Sequence, residues 1–147
     1  MLTYYVVMFV VMILVGMLFN PMNVLVYRTS DLYVSLTLFY SGLLMASNMV
    51  WSHELIHYMT TGHMNSLALV VGIVLAVIVS LVLRNQLFVD DKQWLRRMIG
   101  HHSTAITTTE QLLRNNPRVV TKPKIHNLAK EILHTQEKEI AIMKSLL

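Results

Sequence analysis

Three long runs without a formal charge dominate this chain: residues 1–27, 32–53 and 55–83 contain no Asp, Glu, Lys or Arg. A helix needs roughly 20 predominantly apolar residues to cross the hydrocarbon layer of a bilayer. Each run holds such a window, about Leu2 to Val24, Leu32 to Trp51 and Ser66 to Leu83. The alternative, three uncharged core helices of a soluble protein, asks 147 residues to bury more apolar surface than so short a chain can cover. The sequence therefore predicts an integral, multi-pass membrane protein whose first partner is the lipid bilayer. The first run lacks a basic leader and its apolar stretch is long, so a span is expected rather than a cleaved signal peptide.

Composition agrees. Hydrophobic residues make up 54% and charged residues 14%, against roughly 25% charged in soluble domains. The absence of cysteine removes disulfides, thiolate metal sites and cysteine nucleophiles from consideration. Of the 12 basic residues, all but Arg28 lie in residues 84–147, as do all but Asp31 and Glu54 of the 8 acidic ones. With three spans, Arg28 and the basic C-terminal region share one side, while the N-terminal tail and the loop Ser52 to Asn65 have no Lys or Arg. The positive-inside rule then predicts the N-terminus outside and the C-terminal region in the cytoplasm. On the third run Ala68, Gly72, Ala76 and Ser80 recur every four residues. Such a small-residue stripe serves close helix packing, either within the chain or between two copies.

Residues 1–84 thus read as a membrane domain and residues 85–147 as a C-terminal helical hairpin. Asp90 is placed to cap a helix that runs to Arg114, with Leu95, Met98, Ile99, His102, Ala105, Ile106, Thr109, Leu112 and Leu113 on one stripe. Asn115-Asn116-Pro117 stops it, and Lys122-Pro123 opens a second helix. The second stripe is Ile125, Leu128, Ala129, Ile132, Leu133, Gln136, Ile140, Met143 and Leu147. The fold class is all-α: three transmembrane helices followed by an antiparallel hairpin. One hairpin buries its stripes poorly, whereas two make a four-helix bundle, so a homo-oligomer through the hairpin is expected.

His102 and Gln136 interrupt the two stripes, with His101 and Glu139 at their edges. A polar group inside a bundle needs a partner. The plain reading is a hydrogen-bonded pair; the chemical one is a metal site of His, Met and Glu from facing helices. The run Met98-Ile99-Gly100-His101-His102-Ser103-Thr104-Ala105-Ile106, followed by Asn116-Pro117, by Leu128-Ala129-Lys130-Glu131-Ile132 and by Gln136-Glu137-Lys138-Glu139-Ile140-Ala141-Ile142-Met143, resembles the domain of unknown function 305 family, in its membrane-anchored form. The resemblance covers about residues 90–147. It implies a ferritin-like helical bundle and, as in some members, binding of copper or silver through Met and His. Carried over by position, the implied metal residues are Met98, His101, His102, Gln136, Glu139 and Met143, and soft thioether and imidazole donors suit Cu(I) or Ag(I). Three features depart from the family pattern: Thr107-Thr108-Thr109 stands where soluble members tend to carry a methionine, the loop Pro117 to Leu128 is longer, and only one hairpin is present.

The second loop carries another motif, His53-Glu54-Leu55-Ile56-His57, a literal H-E-x-x-H. On a helix its histidines lie one turn apart and can share a zinc ion, with the glutamate as general base. His63 has the spacing of a third zinc ligand, but Thr60 stands where the extended motif needs glycine. Asp31 and Asn48 are the remaining candidates for a further ligand. The bland reading is an interfacial helix end. A third reading joins Met45, Met49, His53 and His57, which recur every four residues, to Met59, His63 and Met64, as a second copper or silver site at Met49, His53, Glu54, His57 and His63.

Nucleic-acid binding would need a recognition arrangement that is not present, and no charge deep within a span marks a transport pathway. The expected function is metal binding by a membrane protein, copper or silver above zinc, in metal handling or stress response. The alternatives are a structural membrane protein that self-associates without metal, and a membrane zinc metallopeptidase built on His53, Glu54 and His57. No catalytic residue is assigned under the first reading.

Overall fold

The computed structural model describes residues 2–147 and is all-α, with no strand among them. Its helices are α1 (Leu2–Leu18), a single turn α2 (Pro21–Val24), α3 (Leu36–Thr61), α4 (Ser66–Arg84), α5 (Asp91–Asn115) and α6 (Pro123–Ser145). Short 3-10 turns at Thr29–Asp31 and Pro117–Val119 complete it. The chain forms two compact units.

The first unit comprises Met1–Asn20 and Leu36–Val89; in it α3 packs against both α1 and α4. Glycines set both crossings. A Cβ on Gly42 would lie 2.7 Å from the Ile13 carbonyl oxygen, and one on Gly16 would lie 2.9 Å from the Gly42 Cα. A Cβ on Gly72 would lie 2.8 Å from the Trp51 backbone nitrogen. Small residues here replace side-chain contact with backbone contact. Of the two uses open to the small-residue stripe on α4, Gly72 serves packing within the chain.

Two helical stretches, not three, are long and apolar enough to cross a membrane: Leu2–Val24, with mean hydropathy 2.5, and Ser66–Arg84, with mean hydropathy 3.0. The expectation of three such spans is corrected at α3. This helix starts at Leu36 rather than Leu32 and continues past Trp51 to Thr61. It carries Thr37, Ser41, Ser47, Asn48 and Ser52 within its apolar part. It can afford them because it lies between the other two: Leu38, Tyr40, Ala46, Ser47 and Val50 are buried. The Ser41 and Ser47 hydroxyls donate to the carbonyls of Thr37 (3.0 Å) and Leu43 (2.8 Å) of the same helix. The outer helices show the opposite pattern. Val6, Val10 and Leu14 of α1, and Leu67, Val70, Val74, Val77 and Ile78 of α4, stand exposed.

The second unit comprises Pro21–Ser35 and Asp90–Leu147. The Asp90 carboxylate accepts from the Gln93 backbone N–H at 2.8 Å and starts α5 as the sequence predicts. Pro117 and Pro123 stand where the two helices stop and start. The core of the hairpin is Leu95, Ile99, Ile106, Ile140 and Met143, flanked by Met98, Leu133 and Tyr33.

The segment Pro21–Ser35 precedes the hairpin by more than fifty positions yet is bound to it. Asp31, 1% exposed, accepts from the Ser103 hydroxyl at 2.6 Å and pairs with the Lys144 ammonium at 2.5 Å. Ser103 in turn accepts from the Tyr27 backbone N–H at 2.8 Å. The Thr104 hydroxyl donates to the Met22 carbonyl at 3.1 Å, and the Tyr27 hydroxyl to Glu110 at 3.0 Å. The strap is thus fastened to both helices of the hairpin, with its buried carboxylate between them.

Candidate functional site

In the hairpin, the six residues expected to hold a metal do not all meet. His101 is exposed, while its neighbour His102 turns inward, its side chain 13% exposed. The His102 Nδ1 lies 3.0 Å from a Glu139 carboxylate oxygen on α6. The approach is that of an ion pair without hydrogen-bond geometry, and the buried Nδ1 has no hydrogen-bond partner among the described residues. Nε2 has no hydrogen-bond partner among the described residues. Burial holds the His102 pKa below the ordinary histidine value; Glu139 opposes this and His101 adds to it. The imidazole is therefore neutral at pH 7, the form in which histidine ligates metals. Met143 is buried in the adjoining core and Met98 packs against it. Gln136 is half-buried.

In the first unit, the H-E-x-x-H motif is helical, but its glutamate is already engaged. Glu54 is 1% exposed. One carboxylate oxygen accepts from the Tyr5 hydroxyl and faces the His53 Nδ1 at 3.2 Å. The other accepts from the Asn65 backbone N–H at 2.9 Å. Asn65 is the N-cap of α4, its side chain accepting from the Ala68 N–H at 3.2 Å. Glu54 therefore ties α1, α3 and the start of α4 together, and it does not face solvent as a general base would. The His53 and His57 rings lie nearly parallel, 6.2 Å apart. Met49 is exposed along α3. Among the described residues no three His, Asp or Glu side chains gather as they would around a metal ion. Asp31, weighed as a further zinc ligand, is instead the buried partner of Lys144 in the other unit.

The strap residues Asp31, Ser103 and Lys144 were not legible as a set. The one available signal was Asp31 itself, a lone acid between two uncharged runs.

The comparisons with known proteins fit this division. Residues 81–147, which include α5 and α6, match the family described as Domain of unknown function (DUF305). Residues 81–147 carry the domain of that family. It is also 32% identical over 130 residues to "Uncharacterized protein L153" of Acanthamoeba polyphaga mimivirus, covering 87% of this chain and 81% of the viral one. That likeness extends beyond the DUF305 region into the apolar helices. No solved structure matches the chain.

Proposed function

We propose that this DUF305 protein is a membrane-anchored metal binder whose hairpin takes a soft monovalent ion, Cu(I) or Ag(I). The observation that carries the reading is the orientation of His102. Metal-binding histidines generally donate their second ring N–H to a carboxylate or carbonyl, which fixes the tautomer and aims the ligating nitrogen. The Glu139 carboxylate lies 3.0 Å from the buried His102 Nδ1, within reach of that role though not in hydrogen-bond geometry. Met98 and Met143 place thioethers in the same core. The donor chemistry fits: imidazole and thioether suit soft ions, while hard cations prefer oxygen donors. His102 would ligate, Glu139 would orient it, and Met98 and Met143 would supply sulfur; the ion would bring soft Lewis acidity and one-electron chemistry. His101, being exposed, and Gln136 serve as flanking residues under this reading.

Anchoring rests on the exposed apolar faces of α1 and α4, which only lipid covers without cost. Helix α3 packs between them, its polar residues screened by its neighbours. On this reading the hairpin lies on the cytoplasmic side, where its basic residues would meet anionic lipid. Leu112, Ile125 and Leu128 of the two stripes remain exposed. They support pairing of two hairpins into a ferritin-like four-helix bundle.

The test is competitive titration of the full chain in detergent with Cu(I) against a colorimetric chelator, beside His102→Ala. Stoichiometric binding that weakens at least about tenfold in the variant, or about 1.4 kcal/mol, is the expected result. Unchanged binding by the variant would leave His102 and Glu139 as a polar pair of a purely structural bundle.

A further inference from the structure

Two cavities of opposite character meet at Tyr5, and the hairpin reading uses neither. The first, of about 840 Å³, lies where α3 ends and α4 begins; its lining includes Tyr5, Glu54, His57, His63 and Ser66. The second, of about 330 Å³, is an apolar groove between α1 and α4. Phe9 and Val10 line it from α1, Ala68, Val71 and Leu75 from α4, and the buried Val50 of α3 also borders it. Tyr5 lines both cavities. On α4 the change of character is as abrupt: Ser66 borders the polar cavity and Leu67 the groove. Both volumes are those of small-molecule sites, roughly 300–1,000 Å³.

We infer that the two cavities form one binding site for a membrane lipid with a primary ammonium head, its head in the polar cavity and an acyl chain in the groove. This rests on the anchoring of the chain in a bilayer and is independent of the hairpin metal. The joined cavities select an amphiphile, because a wholly polar or wholly apolar ligand fills only one of them. The head is a cationic donor because the cavity offers acceptors. The Nδ1 atoms of His57 and His63 meet the carbonyls of His63, at 2.8 Å, and Thr61, at 3.0 Å. A carbonyl oxygen only accepts, so Nδ1 carries the proton and Nε2 of the neutral ring is an acceptor. Neither Nε2 has a hydrogen bond among the described residues. Glu54 is the one carboxylate that lines the cavity, and no Lys or Arg lines it. A cation there gains from the field of that carboxylate, and an anion is repelled by it. A primary ammonium brings three N–H donors on one atom, as in lysine; its trimethylated counterpart brings none. No side chain has to move, since a head of several atoms does not require the imidazoles to converge.

The test titrates the full chain in detergent, in mildly alkaline buffer, with phosphatidylethanolamine, phosphatidylcholine and phosphatidylglycerol of identical acyl chains, read by native mass spectrometry. The first two differ only in methylation of the nitrogen, so the pair reads the N–H donors alone and needs no variant. The expected result is phosphatidylethanolamine bound at least about tenfold more tightly than either of the others, the value of one hydrogen bond from a charged donor. His57 and His63 are exposed, so His57→Ala/His63→Ala is expected to keep its helical signal and melting temperature while reducing that preference to within about twofold. Val71→Trp, at an exposed position on the groove, should weaken phosphatidylethanolamine and phosphatidylcholine alike. Equal binding of the three lipids, a preference for phosphatidylglycerol, or a preference that survives the double substitution overturns the site. Flotation of the reconstituted protein with phosphatidylcholine vesicles reports the anchoring separately. Protein that floats without a headgroup preference overturns this site alone; protein that does not float overturns the anchoring and the site together.

Discussion

Replacing Asp31 by Asn should loosen the hairpin from a position outside it. The carboxylate is 1% exposed and pairs with Lys144 at 2.5 Å, while Ser103 donates to it at 2.6 Å. Breaking a buried ion pair from one side typically costs about 3–5 kcal/mol, because the other charge is left uncompensated. The Lys144 side chain is 29% exposed and can recover part of its hydration. Ser103 still accepts from the Tyr27 N–H. Asp31→Asn should therefore fall near or below the bottom of that range, about 2–3 kcal/mol. Lys144→Met strands the fully buried partner instead and should cost more, about 3–5 kcal/mol. The double variant should cost less than the sum of the two, since neither charge remains. Hydrogen exchange of α5 and α6 amides in the full chain in detergent reads the opening free energy locally. A loss under about 1 kcal/mol for both single variants, the value of an exposed pair, would refute the strap as a fastening of the hairpin. So would strict additivity in the double variant.

Other substitutions test the remaining contacts. Glu54→Ala leaves the Tyr5 hydroxyl and the Asn65 N–H without their acceptor, at about 1–3 kcal/mol each when buried, and should lower the melting temperature of the detergent-solubilised protein; Glu54→Gln should recover part of the loss. Gly72→Leu forces α4 away from Trp51 and should cost about 1–3 kcal/mol or more as overpacking, read by the same melt. The His102 pKa is lowered by burial, so the unfolded chain takes up that proton first as pH falls below about 6.5. Its contribution is present above that pH and is lost as pH drops towards the folded-state value. Stability of the hairpin should therefore decline on acidification through this window, and the decline should be shallower in His102→Phe.

The parts of the fold that were legible are those fixed by local chemistry. Asp90, Asn116-Pro117 and Pro123 determine where backbone groups at helix ends find partners, and they mark α5 and α6 in the sequence as in the structure. The two outer helices, α1 and α4, are legible because each is long and almost uniformly apolar. Helix α3 is not, because its environment is the other two helices, which tolerate Ser, Thr and Asn. Glu54 looked catalytic for the same reason that it is structural: a charge at a helix end needs partners, and only the structure supplies Tyr5 and Asn65. The Gly16–Gly42 crossing and the Asp31 strap join residues far apart in sequence, where spacing carries no information. In the hairpin, the helical period put His102 on the α5 stripe and His101 at its edge, and His102 is the one that turns inward.

The central claim, a soft-metal site at His102, is tested most directly by X-ray absorption at the copper edge. The sample is full-length His57→Ala/His63→Ala protein loaded with one equivalent of Cu(I), which removes the histidines of the second loop from the reading. The account predicts a mixed nitrogen and sulfur shell, with the sulfur contribution reduced in Met98→Leu/Met143→Leu and the nitrogen contribution reduced in His102→Ala. A shell of light atoms alone, or one that neither substitution changes, would contradict it.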